Sequence, residues 1–379
     1  MILVSSLVLL TMACKKNTSP NTGTGKASNV YVLGTIDDNV VCWKNGVARN
    51  IYSRAMIIND LGSPSIFVSG NDVYIPGIKP NNNPTIRGSV PLYWKNEIAT
   101  VLPDSSGDAS ANSIFISNND VYVAGTTYYR NDTSRVPYTT PSAIYPRSGN
   151  VATIWKNGVA ATLPGFSFIG LVGGGQYAVR GYSDYVSSLF VSGDDVYVSG
   201  GSRNIASYAR YWKNGVPTDL SSRLTYYAVN GKACFPATTS ITASGNDVYV
   251  AGYQFTSTDK TLALYWKNGA PAYLSTDSIS GSRAHSIFAT GKDVYIAGYQ
   301  NINNYSRAIY WKNGVPVTLT TGVISSIANS IFVAGNDVYV AGYQWTVGGH
   351  YIATIWKNGE VIKLTDGTSN AFANSIYIQ

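Results

Sequence analysis

The trio Trp-Lys-Asn occurs seven times in this 379-residue chain, starting at Trp43, Trp94, Trp155, Trp212, Trp266, Trp311 and Trp356. Successive Trp residues lie 51, 61, 57, 54, 45 and 45 residues apart, a period typical of propeller and solenoid repeats. Aligning the copies on the trio exposes a longer unit, clearest over residues 330–365 as SIFVAGNDVYVAGYQWTVGGHYIATIWKNGEVIKLT. Related openings are SIFVSGNDVYIPG at 65–77, SIFISNNDVYVAG at 113–125, SLFVSGDDVYVSG at 188–200, SITASGNDVYVAG at 240–252 and SIFATGKDVYIAG at 286–298.

Each unit reads as four short strands. Strand a is Ser-Ile-Phe-Val, and a tight Gly-Asn-Asp turn leads to strand b, Val-Tyr-Val-Ala-Gly. After a variable loop, strand c ends in Trp-Lys, and Asn-Gly connects it to strand d. Asn-Gly between β-rich runs is a strong hairpin signal, because both residues tolerate positive φ and a type I′ turn matches strand twist. The Trp before it is large enough to bury roughly 150–250 Å² and hold neighbouring sheets together. Abundant Gly, Asn, Ser and Thr beside 29 Tyr give the same all-β reading, with too much apolar and aromatic surface for a disordered chain.

Four-stranded sheets repeated radially make a β-propeller. The chain ends support a closed ring. The first copy begins with a strand b at 29–34 that has no strand a before it, and the C-terminus ends in a strand a that has nothing after it. The expected fold is an all-β, seven-bladed β-propeller with four antiparallel strands per blade. Strand 375–379 joins the N-terminal blade and seals the ring. An open solenoid would need capping repeats instead.

This layout resembles the kelch class of propellers, with Gly-Tyr in place of the kelch Gly-Gly in three late repeats. More closely, the phrases NDVYVAG and WKNG resemble the repeat of uncharacterised bacterial β-propeller lipoproteins. That resemblance covers about residues 28–379 and implies an envelope location but no defined activity.

The N-terminus, MILVSSLVLLTMACKKNTSP, carries an apolar run from Ile2 to Leu10 that is too short to span a bilayer and reads as an export signal. Cys14 after it resembles the acylated Cys of a lipobox. The expected organisation is a lipoprotein signal peptide at 1–13, a lipidated Cys14 with a flexible linker over 14–27, and the propeller over 28–379. The resemblance implies outer-membrane anchoring, because Lys15 and not Asp follows the Cys. A lipid anchor contributes roughly 0.8 kcal/mol per buried methylene, so several chains tether firmly. Cys42 falls in a strand and Cys234 in a long loop, and their spacing predicts no disulfide.

The formal charge is +7, but seven of the 27 basic residues are the Lys of the trio, from Lys44 to Lys357. Spread one per repeat, they form a dispersed ring, not the basic patch of a nucleic-acid binder. Nucleic acid is therefore not an expected partner.

In such a blade the a–b and c–d turns share one face, and the b–c and d–a connections share the other. The turns are uniformly short. The b–c segment instead ranges from 9 residues (Gly34 to Trp43) to 30 (Gly125 to Trp155). Long loops on a rigid scaffold carry function, which makes the varied face the candidate binding face. Three long loops span 126–150, 164–187 and 221–239. Their candidate ligand-binding residues are Tyr128, Tyr129, Arg130, Arg135, Tyr138, Tyr145 and Arg147, then Tyr177, Arg180, Tyr182 and Tyr185, then Tyr226 and Tyr227. Tyr supplies rigid amphipathic contact and Arg supplies planar donors, a combination suited to glycans or a protein partner. Packing of the loops onto the ring explains the same aromatics without any ligand.

The remaining signals are weaker. His285 stands where other copies have Asn112, Asn329 and Asn374, which makes it a tolerated substitution. His350 has no nearby carboxylate or second His. The Asp that opens strand b in six copies (Asp72 to Asp337) reads as an Asx-type turn residue and not a calcium ligand. No metal-ligand spacing, phosphate loop or nucleophile elbow appears, so no cofactor or metal is expected. Asp132 and Asp184 could supply a glycosidase pair, but no motif supports the pairing. Lyase chemistry on Tyr and Arg keeps an enzyme as an alternative. The expected function is a monomeric, non-catalytic binding module, with a polysaccharide-active enzyme and a structural scaffold as alternatives.

Overall fold

The computed structural model describes residues 28–37, 39–53, 65–82, 88–129, 149–165, 168–172, 176–180, 184–202, 208–221, 235–256, 260–275, 281–321 and 324–379. These residues form seven four-stranded antiparallel sheets arranged as a ring, the β-propeller expected from the repeats, together with a two-stranded hairpin. That hairpin pairs Phe168–Val172 with Gln176–Arg180, inside what the sequence suggested was a single long loop.

The strand order within each sheet is a-b-c-d, as in blade 4: Asp184–Ser192, Asp195–Ser202, Tyr208–Lys213, Val216–Asp219. Strand a lies innermost, where the a strands of neighbouring blades contact one another. Strand d lies at the rim, and in blade 3 (Val159–Thr162) it is exposed along its whole length. The ring closes as the chain ends implied. Ala371–Ile378 pairs antiparallel with Val30–Ile36, and Asn29 and Gln379 exchange backbone hydrogen bonds of 2.8 and 3.0 Å.

All seven Trp residues of the trio are at most 2% exposed. Each packs into the seam with the preceding blade: Trp155 sits against Tyr74 and Leu102 of blade 2, and Trp43 against Tyr339 and Ala341 of blade 7. Three of the indoles also donate to a carbonyl of the preceding d–a connection: Trp155 to Pro103 (2.9 Å), Trp212 to Pro164 (2.9 Å) and Trp266 to Leu220 (3.1 Å). Cys42 is a buried free thiol in this core, pushed up to about 11 by burial. Cys14 and Cys234 lie outside the described residues.

The inner strand differs from the sequence reading. It starts four residues before its Ser in six blades and carries a bulge in the middle. The register shifts at Ala111/Ser113, Val186/Ser188, Thr238/Ser240, Ala284/Ser286, Ala328/Ser330 and opposite Leu33/Gly34. The residues left in the bulges are Asn112, Ser187, Thr239, His285, Asn329 and Asn374. Four of them bond a carbonyl of the next blade: Asn112 to Val186 (2.8 Å), Thr239 to Ala284 (3.0 Å), His285 to Ala328 (3.0 Å) and Asn329 to Ala373 (3.0 Å). The Ser that follows accepts from the next inner strand, as when Leu189 N–H donates to Ser113 Oγ at 3.0 Å. A belt of side-chain hydrogen bonds thus runs from blade to blade around the axis.

The bulge also explains the Gly that ends the repeated phrase NDVYVAG. In blade 3 the bulged strand pushes the Ser110 carbonyl against Gly125, so that a Cβ there would overlap the oxygen. The same clash exists between Gly298 and the Arg283 carbonyl, and between Gly342 and the Ile327 carbonyl. Two residues beyond the inner-strand Ser, aromatic rings of six blades touch in an arc around the axis. Phe190–Phe115 (5.3 Å), Phe115–Phe67 (4.5 Å), Phe67–Tyr377 (5.0 Å), Tyr377–Phe332 (5.1 Å) and Phe332–Phe288 (4.8 Å) are in contact. Blade 5 interrupts the arc with Thr242.

Candidate functional site

The two faces of the ring differ in chemistry. On the turn face, Asn and Gly of each Asn-Gly turn both take positive φ, as in Asn157 (50°) and Gly158 (81°). The Asn side chain is also used. Asn157 Oδ1 accepts from Val121 N–H (2.8 Å), and its Nδ2 donates to Asp120 (2.7 Å). Lys156 pairs with the same carboxylate at 2.8 Å, and its Nζ lies 5.1 Å from the centroid of the Tyr122 ring.

The Asp–Lys–Asn–Tyr cluster recurs in blades 2 to 7, with Lys–Asp distances of 2.7–3.1 Å. The repeated Asp is therefore not an Asx-turn residue as the sequence suggested. It is the acceptor that fixes the trio across strands b and c. Lys156 and Asn157 hold the Asp120 carboxyl below its ordinary range. Among the described residues no group of three or more His, Cys, Asp or Glu side chains is placed to hold a metal. Blade 1 departs from the pattern, with Asn29 in place of Asp and Lys44 over the Tyr31 ring at 5.1 Å.

The loop face receives the sequence-predicted ligand residues unevenly. Arg130, Arg135, Tyr138, Tyr145, Arg147, Tyr182, Tyr226 and Tyr227 lie outside the described residues. Tyr128 and Tyr129 end strand b of blade 3, Asp120–Tyr129. Tyr128 is half-buried, with its N–H donating to the Asp108 carbonyl at 2.9 Å. Tyr177 and Arg180 belong to the extra hairpin. Tyr185 requires correction: it is no loop residue but the second residue of an inner strand and only 4% exposed. Its hydroxyl accepts from Thr238 N–H at 3.2 Å across the seam.

The described part of the loop face carries a different aromatic surface, over blades 5, 7 and 1. The Tyr that follows the strand-b Gly organises it. Tyr253 lies under Arg283 (4.5 Å), which also reaches Phe255 (5.9 Å). Tyr343 packs edge-on against Tyr351 (5.1 Å) and Phe372 (4.9 Å), and Tyr351 meets Trp345 at 4.6 Å. Burial pushes the Tyr343 hydroxyl up to about 12, helped by Tyr351 and Tyr299. The Gly-Tyr-Gln phrase at 252–254, 298–300 and 342–344 was the sequence signal for this surface.

Trp345 remains 39% exposed at the end of its strand and borders a groove of about 410 Å³ on the side of blade 6. Gln344, Thr320, Thr321, Thr346 and Lys363 supply the groove's polar groups, and Leu319, Ile324 and Ile352 its apolar floor. A second groove of about 490 Å³ adjoins it across Lys363, lined by Ile36, Thr365, Asp366, Thr368 and Ser369. An exposed indole beside amide, hydroxyl and ammonium groups can stack on one face of a ring-shaped polar ligand while bonding its hydroxyls.

A buried acid lies elsewhere on this face. Asp184 opens the inner strand of blade 4 and is 3% exposed, with Oδ2 lacking a hydrogen-bond partner. Burial pushes its carboxyl up to about 7, against the opposing pull of Arg210 and the Ala152 N–H. Arg210, 5% exposed, donates to the Pro164 carbonyl at 2.9 Å.

No protein-family model matches the chain, and no curated protein matches it. Solved structures do. A Mycobacterium tuberculosis puromycin-hydrolyzing peptidase aligns with TM-score 0.50 at 9% identity, over 89% of this chain and 53% of its own. An acylaminoacyl peptidase of Pyrococcus horikoshii aligns with TM-score 0.46 at 14% identity, over 91% of this chain and 52% of its own. The β-propeller domain of the Trilobed protease of Pyrococcus furiosus gives TM-score 0.48 at 13% identity, covering 91% of this chain and 94% of that one. The chain spans about half the length of the two whole peptidases. These likenesses concern the propeller fold alone.

Proposed function

We propose that the protein is a non-catalytic binding module, anchored by Cys14 to a bacterial outer membrane, that holds a glycan on its loop face. The observation that carries this reading is the exposed indole of Trp345 in the groove with Gln344, Thr320, Thr321, Thr346 and Lys363. Sugar rings offer apolar C–H faces to an aromatic plane and hydroxyls to surrounding amides and hydroxyls, and this lining provides both kinds of partner. The candidate residues of the long loops, Tyr145 and Arg147 among them, fall in connections of the same kind along the chain and would extend the contact surface. An envelope protein presenting similar aromatic-binding chemistry is the alternative ligand.

The test is binding of the chain carrying Cys14→Ser to a broad glycan array, repeated with Trp345→Ala and with Tyr145→Ala/Arg147→Ala. Loss of a glycan signal in the first variant supports the groove. Loss only in the second moves the site to the long loops. No signal in any form counts against a glycan ligand.

A second reading, a polysaccharide-active enzyme, is favoured by Asp184 alone. A carboxyl pushed up to about 7 by burial keeps its proton below neutrality, as a general acid must. Depolymerisation of a bound glycan, lost in Asp184→Asn, would replace the binding-module reading with this one.

A further inference from the structure

The turn face carries a second repeated feature, independent of the Asp–Lys–Asn cluster. Immediately after the turn that follows strand c, strand d opens in five blades with a large aliphatic side chain pointing into solvent. Val47 is 67% exposed, Ile98 73%, Val159 72%, Val216 67% and Val315 64%. Blade 5 has Ala270 at this place and blade 7 has Glu360. Single exposed aliphatics are ordinary, but five at one position of a seven-fold ring form a circle of apolar points on one rim. Nothing in the fold requires them. The turn is specified by Asn and Gly, and the rim strand has no partner beyond it. A polar β-former would serve equally well there.

Two further facts indicate what this circle meets. First, Ser28 and Asn29 lead into strand b of blade 1 on this face, and the Asn29 side chain bonds Asn45 of the adjacent Asn-Gly turn at 2.9 Å. The segment bearing Cys14 therefore joins the ring on the turn face, the side opposite the loop face. Second, four of the five aliphatics lie three residues after a Lys whose ammonium is committed to an Asp, so most of the charge beside them is held in ion pairs. The fifth, Val47, follows Lys44, the trio Lys with no ion pair among the described residues. Small apolar side chains interspersed with Lys, on the face where an acylated segment attaches, suit the boundary between headgroups and acyl chains.

We infer that the turn face docks on the phospholipid surface, with Val47, Ile98, Val159, Val216 and Val315 as its apolar contacts. The loop face and its Trp345 groove then point away from the membrane. The choice of a membrane as occupant rests on the reading of Cys14 as the acylated residue. Because most of the charge on the face is internally paired, the docking depends on apolar contact and varies little with anionic lipid or salt.

The experiment is sedimentation of the full chain carrying Cys14→Ser, which cannot be acylated, with vesicles of phosphatidylethanolamine with and without phosphatidylglycerol. A companion variant changes all five aliphatics to Thr, which preserves strand propensity, and its fold is checked by circular dichroism and thermal melting. The proposal expects the parent to partition measurably onto both vesicle types and the folded Thr variant to lose at least tenfold in partitioning. Trp345→Ala should leave it unchanged. Equal partitioning of parent and Thr variant, no partitioning of the parent, or loss on Trp345→Ala each overturns it. Light scattering covers the remaining occupant: a parent dimer that the Thr variant converts to monomer would make the face a self-interface instead. Labelling of the wild-type chain with radioactive palmitate keeps the two readings apart. Acylation with unchanged vesicle binding of the Thr variant defeats only the docking, whereas absence of acylation defeats the anchor.

Discussion

His285 Nδ1 lies 3.0 Å from the Ala328 carbonyl oxygen, the same distance at which Asn329 Nδ2 meets the Ala373 carbonyl one blade further on. An imidazole and a carboxamide thus perform one task, donating across a seam from the bulge of an inner strand. The donor role requires His285 to carry its proton on Nδ1. Burial pulls this imidazole down to about 4 from 6.5, with Arg283 adding to the shift and the Ala328 bond opposing it. The folded state therefore favours the neutral ring. Its contribution is present above about pH 6.5 and is lost as pH falls toward 4, because the unfolded chain takes up the proton first. His285→Asn should match the wild type at pH 7.5 and resist acid better between pH 6.5 and 4. His285→Ala should cost about 1 kcal/mol at pH 7.5 by leaving the Ala328 carbonyl without its donor. Urea melts at a series of pH values check both, and equal acid sensitivity of wild type and His285→Asn would count against the assignment.

Gly125 and Gly158 predict two different costs for the same substitution. At Gly125 a Cβ would strike the Ser110 carbonyl, which is backbone and cannot rotate away. At Gly158 a Cβ would meet nothing within 4 Å, and only the positive φ of 81° resists it. Gly158→Ala should cost about 1 kcal/mol. Gly125→Ala should cost at least about 3 kcal/mol or prevent folding, since the inner bulge or the strand pairing must shift. Denaturation midpoints of the two variants give the comparison, and equal costs would show that the bulge yields easily.

The turn of blade 2 contains an exception that can be improved. Where the other blades place Gly, Glu97 takes φ 74°, beside Asn96 at 48°. A residue with a Cβ is strained there by roughly 1 kcal/mol. Glu97→Gly should therefore stabilise the protein by about 0.5–1 kcal/mol. Asn157→Ala should destabilise by about 1–2 kcal/mol, since Ala resists φ 50° and leaves Val121 N–H without its acceptor. Asp120→Asn, which removes an exposed ion pair, should move the melting temperature little. A marked loss in Asp120→Asn would mean that the carboxylate organises the hairpin more than its exposure suggests.

Blade number and the Asn-Gly turns were legible in the sequence because the Trp-Lys-Asn trio recurs seven times and six of its copies continue into Gly. Positive φ wants Asn and Gly, a seam wants Trp, and Val30–Ile36 reads as a strand b whose strand a is Ala371–Ile378. The bulge was not legible, because it arises where a nine-residue inner strand such as Ala109–Ser117 bends against strand b and its register is visible only across strands. The Gly of NDVYVAG and the Asn/His alternation at 285 were its traces. The Asp–Lys pairing likewise needed the register that puts Asp120 beside Lys156. Tyr185 was misplaced because residues 184–187 do not repeat the sequence of other blades, although they occupy the same strand. The exposed Trp345 gave no pattern beyond the Gly-Tyr-Gln phrase, since exposure follows from where the hairpin projects.

Asp184 makes stability depend on pH in the opposite sense to His285. Burial raises its carboxyl from 3.8 to about 7, so the folded chain binds the proton more tightly than the unfolded chain. Stability attributable to this group is therefore full below about pH 4 and declines as pH rises toward 7, when the folded protein must ionise a carboxyl with an unpartnered oxygen. Asp184→Asn removes that burden. It should match the wild type near pH 4 and exceed it at pH 8 by on the order of 1–4 kcal/mol. Chemical denaturation at the two pH values measures the difference. A variant less stable than wild type at pH 8 would mean that Asp184 is ionised and bound to Arg210 as a structural pair. A variant more stable but devoid of any turnover the wild type shows would identify a carboxyl kept at a cost to the fold for the sake of chemistry.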